Sequence, residues 1–223
     1  MTDPNVPPNR CFPGGDAVAK IIAGITNKKA ERLNGCVPVV FCARPQGDVH
    51  KRHCYIGYGT CSGADMAFGG PSECPYGCVG FGDCAKVCPV GAITMVDDFP
   101  VIDEKRCIGC GACVEACPKG IIRLVPEDAR VLVRCSSKDP GKVVRAVCDA
   151  GCIHCKACIK KCPANAISEV NGRVEVDLRK CLAYGPDCKE VCIQACNKRH
   201  ILQPFRPRKE DAESGEEMKA KAA

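Results

Sequence analysis

The chain has 223 residues and 23 cysteines, with six Phe, four Tyr and no Trp. So few large side chains cannot build an ordinary core, and something besides apolar burial must hold the fold. The odd cysteine count excludes a complete disulfide framework. The polar, proline-rich opening MTDPNVPPNR carries no secretory pattern, and no apolar run approaches the ~20 residues of a membrane helix. A cytoplasmic protein whose cysteines bind metal is the expectation.

In chain order, Cys11 precedes a Pro-Gly-Gly turn, and residues 13–33 read as one amphipathic helix with Asp16 in its first turn. The β-branched run Val37–Cys42 reads as a strand. Cys74, Cys78, Cys84 and Cys88 form an irregular cysteine run ending in Pro89. A short passage into a strand (Val90–Met95) follows, then the turn Asp97-Asp98 and a second strand (Pro100–Asp103). Cys107, Cys110, Cys113 and Cys117-Pro118 then give C-x2-C-x2-C-x3-C-P, the bacterial ferredoxin run for [4Fe–4S] clusters. A second β-branched run, Val131–Cys135, leads to Cys148 and to Cys152, Cys155, Cys158 and Cys162-Pro163, the same spacing again. Another strand–turn–strand passage (Ala164–Glu169, Asn171-Gly172, Val174–Asp177) enters the last run, Cys181, Cys188, Cys192 and Cys196, stretched to C-x6-C-x3-C-x3-C. The segment from Arg206 to Ala223 is charged and rich in small residues.

Zinc also uses CxxC pairs, but it takes two pairs separated by a longer loop. Three cysteines in one tight run favour a cubane. Shifting the sequence by 74 matches residues 74–107 to 148–181 at 12 of 34 positions without a gap. The chain is thus a tandem duplication, each copy bearing two runs, and four [4Fe–4S] clusters are expected. The fold class expected is α+β, two tandem 2[4Fe–4S] ferredoxin modules behind a small helical and β segment. The segments divide as 1–35 (Cys11 and helix), 36–73 (β segment), 74–127 (first module), 128–147 (strand and linker), 148–205 (second module) and 206–223 (tail).

In a two-cluster module the fourth cysteine of each run ligates the other cluster. The second module then groups Cys152, Cys155 and Cys158 with Cys196, and Cys181, Cys188 and Cys192 with Cys162. The first groups Cys107, Cys110 and Cys113 with Cys88. Its other site lacks a thiol, because Phe81 stands where the repeat has Cys155; Cys74 is expected to fill the gap beside Cys78, Cys84 and Cys117. Cys74 should then be essential where its counterpart Cys148 is not. Most cysteines outside the two modules read as buried free thiols, Cys36 and Cys54 among them; for Cys42, Cys61, Cys135 and Cys148 an extra site is the alternative. Ile108, Ile121, Ile153 and Ile167 are the expected apolar shields. His154 is a candidate donor to the cluster sulfurs, and Lys156, Lys160 and Lys161 a candidate docking face.

No phosphate loop, dinucleotide fingerprint or nucleophile–base pair is present, so no catalytic site of its own is expected. Scattered basic residues and few aromatics speak against nucleic acid. The formal charge of +6 counts thiols as neutral. Four cubanes with their thiolates bring the holoprotein to about −2. A cluster-based redox or iron sensor is the alternative to electron carriage, but no segment offers a recognition domain.

Several blocks go beyond a generic ferredoxin. They are Cys11-Phe-Pro-Gly-Gly15, Gly69-Gly70-Pro71, Cys74-Pro-Tyr-Gly-Cys78-Val-Gly-Phe-Gly-Asp-Cys84-Ala-Lys-Val-Cys88-Pro89, Lys142-Val-Val-Arg145 and Cys148-Asp-Ala-Gly-Cys152. Over residues 11 to 203 the sequence resembles the B subunit of the Rnf-type electron transport complex, a polyferredoxin family. The resemblance implies an electron-transfer subunit of an oxidoreductase complex, relaying single electrons between a ferredoxin-type carrier, acidic in character, and flavoprotein subunits. Two settings stay open, peripheral membrane association through those partners or a soluble oxidoreductase complex. Family members begin with a hydrophobic anchor and a three-cysteine block that shares a cluster with the Cys11 position. This sequence shows no counterpart, so Cys11 is expected to bind no cluster within the chain.

Overall fold

The computed structural model describes residues 15–28, 35–44, 49–196 and 201–205. Helix α1 (Gly15–Thr26) packs Ala19 and Ala23, one turn apart, inward. It is shorter than the 13–33 expected: Asn27 takes a left-handed φ of 54°, which ends the helix. Cys11 and the remainder of that span lie outside the described residues.

Strand β1 (Cys36–Val40), α2 (Cys61–Phe68), α3 (Asp83–Lys86), β2 (Ile93–Val96), β3 (Phe99–Ile102), α4 (Ala112–Glu115) and β4 (Ile122–Pro126) follow. After them come β5 (Val131–Val133), α5 (Gly141–Val147), α6 (Ala157–Lys161), β6 (Ile167–Val170), β7 (Arg173–Val176), α7 (Leu178–Tyr184), α8 (Val191–Ala195) and β8 (Leu202–Pro204). Helices and strands are mixed, and every strand named here belongs to a two-stranded antiparallel sheet.

The two hairpins show the duplication most plainly. β2 pairs with β3 around Asp97-Asp98 (φ 49° and 57°), and β6 pairs with β7 around Asn171-Gly172 (φ 49° and 77°). Two successive left-handed residues make the tight turn whose twist matches that of the flanking strands. The other two sheets join distant segments. β1 pairs with β4, Val37 opposite Val125, and β5 pairs with β8, Val133 opposite Leu202. The strands ahead of each cysteine run therefore close back on the end of that module.

The apolar cores are small, and the two largest contain thiols. One gathers Val40, Cys42, Cys84, Ile93, Phe99, Cys113 and Ile121; another gathers Val131, Val133, Cys148, Cys158, Ile167, Cys192 and Ile201. Ile121 and Ile167 are buried as expected, whereas Ile108 is 39% exposed, because it sits mid-loop between Cys107 and Gly109.

Candidate iron–sulfur centres

Three loops share one backbone pattern. Gly80 and Gly82 flank Phe81, Gly109 and Gly111 flank Cys110, and His154 and Lys156 flank Cys155; all six flanking residues have φ between 53° and 97°. Alternating left-handed residues curl a chain into a concavity with its amides turned inward, suited to a compact anionic core. For His154 and Lys156, which carry Cβ atoms, that conformation costs about 1 kcal/mol each. The first loop keeps the shape but has an aromatic ring in place of the thiol.

Around these loops the thiols gather in fours. Cys61, Cys78, Cys84 and Cys117 line one small cavity of about 20 Å³, closed by Val40, Val79 and Ile121. Cys162, Cys181, Cys188 and Cys192 line a second of about 20 Å³. Cys152, Cys155, Cys158 and Cys196 line a third, larger and more open, of about 320 Å³. Cys113 meets a fourth set, with Cys107, Cys110 and Cys88 as its neighbouring thiols. Burial pushes the Cys78 and Cys152 thiols up to about 12 and those of Cys84, Cys113, Cys158 and Cys192 up to about 11, their thiol neighbours adding to the rise.

Cys74 does not join the first set. Its thiol, pushed up to about 12 by burial, feels Cys135, Cys42 and Cys148. Cys61 stands in the place expected for Cys74, and it gets there on α2. Thr60 caps that helix by accepting from the Gly63 amide at 3.1 Å, and Gly69 ends it at φ 71°. Both ends of α2 are tied down beside the cavity. Asp83 accepts from the Ser62 amide at 3.1 Å, and Lys119 reaches Asp65 at 2.6 Å and the Gly69 carbonyl at 2.8 Å. Each contact uses a neighbour of a cavity cysteine, Asp83 before Cys84 and Lys119 after Cys117 and Pro118.

The surroundings of the thiols suit a cubane. None of the described cysteines is in a disulfide. Backbone amides point at sulfur: Ala92 N–H to Cys88 Sγ at 3.2 Å and Gly109 N–H to Cys107 Sγ at 3.4 Å. Such donors favour the thiolate. Four cysteines around each cavity, rather than a mix of Cys and His, give all-sulfur ligand sets.

Charged groups modify this picture. Lys156 spends its charge on Glu169 at 2.7 Å, and His154 Nδ1 lies 3.8 Å from the same carboxylate. The hydrogen bond from Lys156, then its charge, holds the Glu169 carboxyl below the ordinary carboxylate range. Sequence reasoning missed Arg130. Its guanidinium donates to the Gly185 carbonyl, stands 3.8 Å from Cys188 Sγ through both terminal nitrogens, and pairs with Glu190 at 3.6 Å. An arginine before a β-branched strand carries no local sign of that role.

Among known proteins, a 4Fe-4S binding domain family matches residues 100–123, and a second 4Fe-4S binding domain family matches residues 78–92 and 152–166, separated by the repeat length. The chain is 44% identical over 198 residues to the B subunit of the proton-translocating ferredoxin:NAD(+) oxidoreductase complex of Clostridium ljungdahlii, covering 88% of this chain and 68% of that one. It is 38% identical over 200 residues to the B subunit of the ion-translocating oxidoreductase complex of Methanosarcina acetivorans, covering 87% and 74%. It belongs to the Rnf-type B-subunit family. With the B subunit of the Na(+)-translocating ferredoxin:NAD(+) oxidoreductase complex of Acetobacterium woodii it shares 39% over 187 residues, covering 83% of this chain and 56% of that one. The chain is accordingly an iron–sulfur electron-transfer protein with several [4Fe–4S] clusters. No helix among the described residues is long and apolar enough to cross a membrane.

Proposed function

We propose that this chain relays single electrons through at least four [4Fe–4S] cubanes, between a ferredoxin-type carrier and the flavin-bearing subunits of an ion-translocating complex, on its cytoplasmic side. Its core is two tandem bacterial-type 2[4Fe–4S] modules. The observation that carries this reading is the set of cavities lined by four cysteines each.

A bound [4Fe–4S] cubane supplies a centre that accepts and releases one electron at a time. The residues of the chain do the rest. Cys88, Cys107, Cys110 and Cys113 hold one centre and Cys61, Cys78, Cys84 and Cys117 the next, with Cys88 and Cys117 crossing between the two loops. Cys152, Cys155, Cys158 and Cys196, and Cys162, Cys181, Cys188 and Cys192, do the same in the second module. Ile121, Ile122 and Val79 exclude water from the first module's inner site, while Cys110 and Cys155 are exposed and open their sites to a partner. Lys160 and Lys161, at the last turn of α6, give the Cys155 site a basic rim that steers an acidic carrier.

Anaerobic stopped-flow mixing of holoprotein with a reduced acidic ferredoxin tests this. The visible absorbance of the holoprotein should bleach by several electron equivalents per chain, at a rate that falls as salt rises. Absence of bleaching by any amount of reduced ferredoxin would contradict the reading.

A further inference from the structure

Four cysteines that the two modules do not use come from four separate segments and meet at the junction between the modules. We infer that Cys42, Cys74, Cys135 and Cys148 hold a fifth [4Fe–4S] cluster, which bridges the two modules; this rests on the cubane reading of the other sites.

The backbone brings these thiols together through specific ties. Cys42 follows Phe41, whose carbonyl accepts from the Ser136 hydroxyl at 3.0 Å, so the Cys135 loop lies against the end of β1. Cys148 bridges Val49 as an isolated β pair. The next residue, His50, donates its amide to Val147 O at 3.2 Å, and its carbonyl accepts from the Glu73 amide at 2.7 Å. Cys148 and Cys74 are thereby joined through one residue. The Tyr76 hydroxyl donates to Asp139 Oδ1 at 3.4 Å, which closes the ring from the Cys74 loop back to the Cys135 loop.

The chemistry of the four thiols matches that of the other sites. Cys42 and Cys148 are buried and Cys74 and Cys135 half-buried. Cys74 feels all three of the others, and Cys135 feels Cys42 and Cys148. The Cys135 sulfur accepts from the Cys152 amide at 3.4 Å and also from the Ser137 amide. The amide donors at Cys135 are of the kind that a cluster-bound sulfur accepts, and four soft sulfurs select iron–sulfur or a similarly soft metal.

The position gives the site its role. Cys42 acts on Cys78 of the first module, and Cys135 receives the amide of Cys152 of the second. The cysteine sets therefore run in one series, from the Cys107 set through the Cys61 set, the junction and the Cys152 set to the Cys181 set. Without a centre at the junction, an electron would have to cross from module to module in a single step.

Native mass spectrometry of the full chain, reconstituted anaerobically with iron and sulfide, counts whole clusters. Five cluster increments are expected, about twenty iron atoms. Cys135→Ser and Cys42→Ser should each hold four, and Cys54→Ser, a change at an exposed thiol, should still hold five. Four increments in the unaltered chain, or five in both Cys135→Ser and Cys42→Ser, would overturn the fifth site and leave the four-cluster reading standing. Zinc or fewer than four increments in the unaltered chain would overturn both. The unaltered chain decides the question even where a variant fails to fold.

Discussion

Phe81 packs into the same small apolar cluster as Cys61, its ring edge-on to Tyr55 with centroids 5.5 Å apart. The residue that stands at the thiol position of the repeat thus lies beside Cys61, the thiol proposed to take over its role. Cys61→Ser should cost the holoprotein one cluster of four irons and leave the rest. Adding Phe81→Cys to that variant should restore the cluster, because residue 81 occupies the loop position held by Cys110 and Cys155. Iron counting with electron paramagnetic resonance reads both. Retention of every cluster in Cys61→Ser would return the ligand role to Cys74.

Much of this was legible because it is local. The regular runs, the left-handed turn pairs at Asp97-Asp98 and Asn171-Gly172, and the 74-residue repeat are each encoded within a few residues of themselves. Cys61 was not legible, because only the tertiary docking of α2, through Asp83 and Lys119, brings it to the cavity. Cys74 follows from the repeat, where Phe81 leaves a gap for a thiol, yet in the fold Cys61 and not Cys74 lines the cavity of Cys78. Nor could the sequence align β1 with β4, since strand partners so far apart leave no short-range signature.

Arg130 should set the potential of the centre held by Cys162, Cys181, Cys188 and Cys192. Its positive charge beside Cys188 favours the reduced, more negative state. One charge-assisted contact contributes on the order of 1 kcal/mol, or about 40 mV for a one-electron couple. Arg130→Gln should lower that midpoint by roughly this amount in a spectroscopic redox titration. An unchanged midpoint would mean that the contact with Cys188 is structural only.

Cluster retention should depend on pH with a definite sign. The buried thiols have values raised from an ordinary 9.0 to about 11 or about 12, as for Cys84 and Cys78, so the empty sites hold protons strongly at neutral pH. Losing a cluster therefore takes up protons, about four per site, and each shifts the equilibrium about tenfold per pH unit. Iron loss to a chelator should accelerate as pH falls from about 8 to about 6 and slow as it rises. A rate independent of pH would show that thiol protonation does not limit release.

The Lys156–Glu169 pair gives an electrostatic test of the entry face. Glu169 offsets the charge of Lys156 beside Cys155. Glu169→Gln should raise the rate of reduction by an acidic ferredoxin a few-fold at low salt. Lys160→Gln with Lys161→Gln should lower it and flatten its salt dependence. If neither change alters the rate, electrons enter at another centre.

A series of cubanes organises the chain, and iron and acid-labile sulfide measured together on anaerobically purified protein test that most directly. At least about sixteen of each per chain are expected, in equal numbers. About eight irons or fewer, the content of a single two-cluster module, or zinc without sulfide, would contradict it.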